Sequence, residues 1–204
     1  MIRTDDGDQT IVQDYPASAL PIPYPPHPGG AKRLVLLWRL GFGSIIGRRY
    51  LILTTTGRKT GHARSTALDY HTWKRQIYVV SVWGEQAQWY RNLLAHPFVT
   101  IQTKHGTEYV RARRITDQIE LMDAYKVIRH SRNLRRWAEV AIGKFDEQKF
   151  LENRDRLHIL TFDPTREPTP PPVTNDLVWV WEVLVTALLV RQITRIGKSR
   201  RSEE

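Results

Sequence analysis

Tyr50-Leu51-Ile52-Leu53-Thr54-Thr55-Thr56-Gly57-Arg58-Lys59-Thr60-Gly61-His62-Ala63-Arg64 passes from an apolar, β-branched run into a basic turn bounded by two glycines. Such a run favours a strand, and its end at Gly57 with an extended restart over Arg64–His71 reads as a β-hairpin. The pattern repeats downstream. Gln76–Trp83 is a strand by composition and Gly84 stops it. Glu85–Ala95 carries helix formers and ends before His96-Pro97, as helices do ahead of proline. Phe98–Lys104 and Thr107–Ile115 make a second hairpin around His105-Gly106. From Asp117 to about Gly143 the period becomes helical, with a break near His130-Ser131 and Thr116 as the expected N-cap. Arg156–Phe162 is a last strand. About six strands with peripheral helices predict an α+β, mainly β chain folded as a small closed or split barrel.

Outside this stretch, residues 1–30 are polar and then proline-rich, and read as a disordered leader. Met1–Asp14 carries four aspartates and no apolar run, so it does not read as a signal peptide. Leu34–Ile46 is apolar, broken by Arg39, Gly41 and Gly43, and its first half reads as a short amphipathic helix. The expected division is therefore a leader over 1–30, a barrel domain over 31–163, a proline-rich linker over 164–176, and an apolar helix with a basic tail over 177–204. The run Leu177–Val190 would be ~21 Å long as a helix, short of the ~30 Å hydrocarbon core. Tryptophans at its front and arginines behind it suit a helix lying at a membrane interface, through 177–201. A helix docked on the barrel or on a second copy in a homodimer fits the same residues.

A net charge of +10 favours polyanions without choosing among nucleic acid, anionic lipid and a charged small ligand. No cysteine is present, so thiolate metal sites and cysteine nucleophiles are excluded. The seven histidines are scattered with no i,i+4 pair, so no metal is expected. Gly57–Gly61 is not a phosphate-binding Walker loop, which needs four residues between its first glycine and the Gly-Lys pair. Gly41–Gly47 lacks dinucleotide-fingerprint spacing and a preceding strand, and no G-x-S-x-G elbow exists.

Two places carry chemistry. In the hairpin, Gly57 and Gly61 let backbone N–H groups turn toward one ligand, while Arg58, Lys59 and Arg64 bring charge and Thr60 a hydroxyl. Several charge-assisted hydrogen bonds, ~1.5–3 kcal/mol each, would hold a phosphodiester or carboxylate tail. In Val80–Asn92, the strand ends at Ser81, Val82, Trp83 and Gly84, and a helix then presents Gln88, Trp89 and Asn92. Aromatics there can stack on a planar ring while Ser81 and backbone amides reach its edge. The cationic set Lys126, Arg129, Arg132, Arg135 and Arg136 reads as a solvated helix face rather than a nucleic-acid interface.

The hairpin from Leu53 to Arg64, followed by a strand and then Trp89-Tyr90-x-Asn92-Leu93-x-x-x-Pro97-x-Val99, resembles the deazaflavin-dependent nitroreductase and quinone reductase family. The leader segment ending Gly47-Arg48-Arg49-Tyr50 is similar too, so the resemblance spans roughly 34–163. It implies a split β-barrel of the flavin mononucleotide (FMN)-binding type and the deazaflavin coenzyme F420, with FMN as the alternative. Arg58, Lys59, Thr60 and Arg64 would then hold the phosphate and glutamate tail. Ser81, Val82, Trp83, Gly84, Trp89 and Asn92 would lie along the ring. The implied activity is hydride transfer to a small organic acceptor (a quinone, nitroaromatic or enone), with Tyr125 as proton donor from its place just after the barrel strands. A coenzyme-binding module without turnover and a basic nucleic-acid binder are the competing readings. The expected setting is the cytoplasm, at the inner face of the membrane.

Overall fold

The computed structural model describes residues 29–81 and 83–200, the side chains of 133 and 192–200 excepted. Most of the leader, 1–28, and Val82 lie outside the described residues. Seven strands follow: β1 (Tyr50–Thr56), β2 (Ala63–Asp69), β3 (His71–Trp73), β4 (Gln76–Ser81), β5 (Phe98–Thr103), β6 (Gly106–Arg114) and β7 (His158–Pro164). They form one antiparallel sheet in the order β2-β1-β5-β6-β7-β4-β3. The two end strands, β2 and β3, are successive pieces of one stretch separated by Tyr70 alone. The sheet therefore curls until its ends meet, which makes it a split β-barrel. The second strand read from sequence supplies both ends, so six sequence strands become seven. At the joint, Tyr70 donates its hydroxyl to the Gly47 carbonyl at 2.7 Å.

Strand alternation sets the layers, because successive side chains point to opposite faces. Leu51 and Leu53 of β1, Val79 of β4, Val99 and Ile101 of β5, Val110 and Ala112 of β6, and Leu160 and Phe162 of β7 fill the interior. Their neighbours point out, and helices cover them on two sides. Ile52 packs with Trp38 and Ile46 beneath α1 (Gly29–Leu37) and α2 (Gly43–Ile46), where Leu34 and Val35 also sit. Between these helices the chain bends at Gly41, whose φ is 93°. Tyr78 and Ile159 pack on the other side under α4 (Gln118–His130), α5 (Arg132–Ile142) and α6 (Glu147–Glu152). The helical break near His130-Ser131 is present. Capping falls one residue later than expected. Asp117, not Thr116, accepts from the Ile119 and Glu120 amides, because its carboxylate reaches both orphan donors of the first turn.

The proline-rich segment lies along the outer face of β5. Thr100 bonds the Thr169 hydroxyl at 2.8 Å, and Gln102 exchanges two bonds with the Val173 backbone at 2.8 and 3.0 Å. Beyond it runs α7 (Trp179–Arg200). The start of α7 is tied down by the bidentate Arg39–Asp176 pair and an edge contact between Trp181 and Phe42 at 5.6 Å. Its apolar residues are otherwise exposed, Leu188 and Leu189 by 61 % and 59 %. No helix among the described residues is long and apolar enough to cross a membrane.

Candidate functional site

The β1–β2 turn closes through backbone bonds. Gly57 N–H donates to His62 O at 2.8 Å, and Gly61 N–H to Gly57 O at 2.7 Å. Gly61 takes a φ of +68°, a left-handed angle that glycine adopts without a Cβ penalty. This places Arg58 against α3 (Gln88–Ala95). Its Nη1 donates to Asn92 Oδ1 at 3.0 Å and its Nη2 to Gln88 Oε1 at 3.1 Å. Asn92, buried, donates in turn to Thr55 Oγ1 at 3.4 Å, and Thr55 donates to Arg64 O at 3.3 Å. The hairpin and α3 are thus locked by neutral partners, and the Arg58 charge meets no carboxylate among its bonded partners.

Around this lock lies a cavity of about 440 Å³. Arg58, Lys59, Thr60, Arg64, Trp89 and Asn92, all named from the sequence, line it together. So do Thr55, Ser65 and Thr66 from the strands, Gln88, and Ala31 and Lys32 from α1. Among the described residues, no aspartate or glutamate lines it. Uncompensated cations, hydroxyls and an aromatic face on one cavity suit a ligand with an anionic tail and a flat ring. The donor set therefore fits a flavin-like coenzyme.

Ser81, Trp83 and Gly84 are not brought to that wall. They form a turn at the end of β4, where Ser81 Oγ donates to Gly84 O at 3.3 Å. Gly84 has a φ of +46° and packs so closely on His158 that an added Cβ would stand 2.4 Å from its Nε2. Register explains the neighbour, since Ser81 pairs with His158 across β4 and β7. His158 also shares a 3.1 Å hydrogen bond with the Tyr90 hydroxyl, and the two rings meet edge-on at 5.1 Å. Burial, with a smaller contribution from Arg114, holds the His158 imidazole down at about 4, so it is neutral at physiological pH. Burial likewise keeps the Tyr90 hydroxyl protonated, pushing its pKa up. Trp83 leans on Trp137 of α5 at 6.1 Å.

Tyr125 lies apart from this cavity. It is 9 % exposed, stacked on Phe145 at 5.1 Å and tilted against Phe150 at 5.4 Å within the core beneath α4 and α6. It lines none of the cavity walls around the hairpin. Its place on α4, after the barrel strands, sets its side chain in the helical layer. Three contributors escaped the sequence reading. Lys32 carried no local signal, because nothing in the chain says that α1 folds back onto β2. Tyr90 and His158 looked like ordinary helix and strand residues, and only the packing of α3 against β7 joins them.

With this geometry in place, comparison adds a family. Residues 41–133 match the F420H(2)-dependent quinone reductase family. No curated protein matches the chain. Among solved structures it is similar to an F420-H2 dependent reductase (FDR-A), at 21 % identity and a TM-score of 0.35 over 56 % of this chain and 93 % of that one. HutZ, the heme storage protein from Vibrio cholerae, is similar at 15 % identity and a TM-score of 0.39, over 59 % and 84 % of the two chains. A FAD-binding protein from Mesorhizobium loti is similar at 16 % identity and 0.35, over 58 % and 82 %.

Proposed function

We propose, from the match of residues 41–133 to the F420H(2)-dependent quinone reductase family, that the protein transfers a hydride from the reduced deazaflavin coenzyme to a small organic acceptor. Quinones lead, with nitroaromatics and enones as the other acceptor classes. The observation that carries this reading is the cavity in which Arg58, Lys59, Thr60 and Arg64 line one space with Trp89 and Asn92 and with no carboxylate among the described residues. The four polar residues of the hairpin hold the anionic tail. Trp89 and Asn92 lie along the ring. The coenzyme supplies the hydride; the protein supplies orientation and exclusion of water.

Titration of the full chain with reduced and oxidised F420, in parallel with FMN, tests this. Micromolar binding of F420 is expected, weakened about ten- to a hundredfold in Arg58→Ala through loss of one or two charge-assisted hydrogen bonds. Oxidation of the reduced coenzyme by a menaquinone analogue should follow. Preference for FMN would change the cofactor. Tight binding with no oxidation by any acceptor class would favour a carrier module. Binding of neither would leave the nucleic-acid reading, whose affinity falls steeply with salt.

We further propose that α7 seats the protein on an anionic membrane surface. Trp179 and Trp181 precede its apolar stretch, and Arg191, Arg195, Lys198, Arg200 and Arg201 follow it, the charge order an anionic interface favours.

A further inference from the structure

Four elements meet at the hairpin cavity, and one of them stands outside the motif that names the family. α1 packs Leu34 and Val35 against the outer face of the barrel. Positions three or four apart on a helix share a face, so Ala31, one turn before both, points to the barrel side, and Lys32, one turn before Val35, lies at its edge. Both residues line the cavity beside Ser65 and Thr66 of β2. Lys32 thereby joins Lys59 and Arg64, also exposed, and the half-buried Arg58 around one space that no acidic side chain among the described residues lines. A single terminal phosphate would engage the Arg58–Lys59–Thr60 turn and leave the α1 side of the cavity without a counter-charge. Like charges sharing a cavity repel, and anions spaced along an extended ligand relieve this at each cation in turn.

We infer that Lys32 is a specificity-determining residue: it receives a carboxylate of an extended polyanionic tail, so that the site selects a phosphodiester followed by carboxylates over a lone terminal phosphate. The inference rests on the coenzyme reading above. About 440 Å³ falls within the ordinary range of small-ligand sites, ~300–1,000 Å³, and accommodates such a tail beyond its phosphate. α1 is then the tail clamp of the barrel, held by apolar packing on one face and bearing the recognition charge at its edge.

The test measures dissociation constants of the full chain for the F420 deazaflavin without glutamate, with one glutamate and with several, at low and moderate salt. The variants are Lys32→Ala, Lys32→Glu and Lys32→Arg. Wild type should bind the glutamate-bearing forms more tightly than the tailless form. Lys32→Ala should lose about fivefold for the former and nothing for the latter, Lys32→Glu should lose more, and Lys32→Arg should retain the preference; a partly exposed charge pair supports a change of this size. Lys32 is exposed, so thermal melting should be unchanged in all three. An equal loss for tailless and tailed forms, or no loss at all, would overturn the inference while leaving the coenzyme reading intact. Failure of wild type to bind any of the forms would overturn the coenzyme reading itself, and this inference with it.

Discussion

Gly84 and His158 show how much one contact decides. The glycine sits at φ +46° with no room for a Cβ against the imidazole, so Gly84→Ala forces the turn or the ring to move. Backbone strain of this kind costs about 1–3 kcal/mol. The expected result is a lowered melting temperature together with weaker coenzyme binding, since the turn adjoins α3. Calorimetry paired with coenzyme titration checks both, and an unchanged melt would show that the turn has slack. His158 gives a pH signature with a definite sign. Its folded pKa, about 4, lies below the unfolded 6.5, so the unfolded chain takes up the proton first. The stability tied to neutral His158 is fully present above pH 6.5 and is lost as pH falls toward 4. Denaturant midpoints across that window should decline in wild type and decline less in His158→Gln. The glycine was legible as a strand stop. The histidine was not, because its partner is set by cross-strand register.

The β3–β4 hairpin is the element that joins the barrel to its helical layer. Its turn residues Lys74 and Arg75 hold left-handed angles, φ 48° and 69°, that suit a tight hairpin but cost non-glycine residues energy. Asp123 of α4 secures the hairpin. Its carboxylate accepts from Trp73 Nε1 at 3.2 Å and from Lys74 Nζ at 3.0 Å, with Lys126 nearby. Hydrogen bonding by Lys74 holds the Asp123 pKa below the ordinary carboxylate range. Asp123→Ala leaves the Trp73 donor unanswered and should cost about 1–2 kcal/mol. Hydrogen exchange should localise the loss to the hairpin and α4 while β1 and β5 stay protected; uniform loss of protection would show that the clamp serves the whole barrel. Nothing in the spacing of Trp73 and Asp123, fifty residues apart, announces this pair. The helices themselves were legible, because their apolar period and the Ser131 break are local properties.

For the molecule as a whole, the open question is what covers α7. Its apolar stretch leaves a larger hydrophobic surface than scattered single side chains do. Removal of the residues after Leu177 keeps Val173 on Gln102 and Asp176 on Arg39, so the barrel should melt unchanged. The shortened chain should no longer sediment with vesicles containing anionic lipid, while the full chain should do so in a salt-sensitive manner and ignore purely zwitterionic vesicles. Equal sedimentation of both chains would remove the membrane role. A dimer lost on shortening, seen by light scattering, would assign the helix to a second copy instead.

The sequence by itself determined six of the strands, the β1–β2 and β5–β6 hairpins, the helices of 85–95 and 117–143 and the chemistry of the Gly57–Arg64 turn, because strand alternation, glycine punctuation and charge are properties of neighbouring residues. Tertiary structure alone decided the rest. Closure of the sheet through the Ala63–Trp73 stretch carries β2 and β3 to opposite ends of one barrel. That same folding-back sets Lys32 beside the hairpin, places His158 under Gly84 and the prolines over β5, and buries Tyr125 among phenylalanines. Each of these contacts joins residues far apart in the chain, and their proximity follows from register and packing that no local pattern encodes.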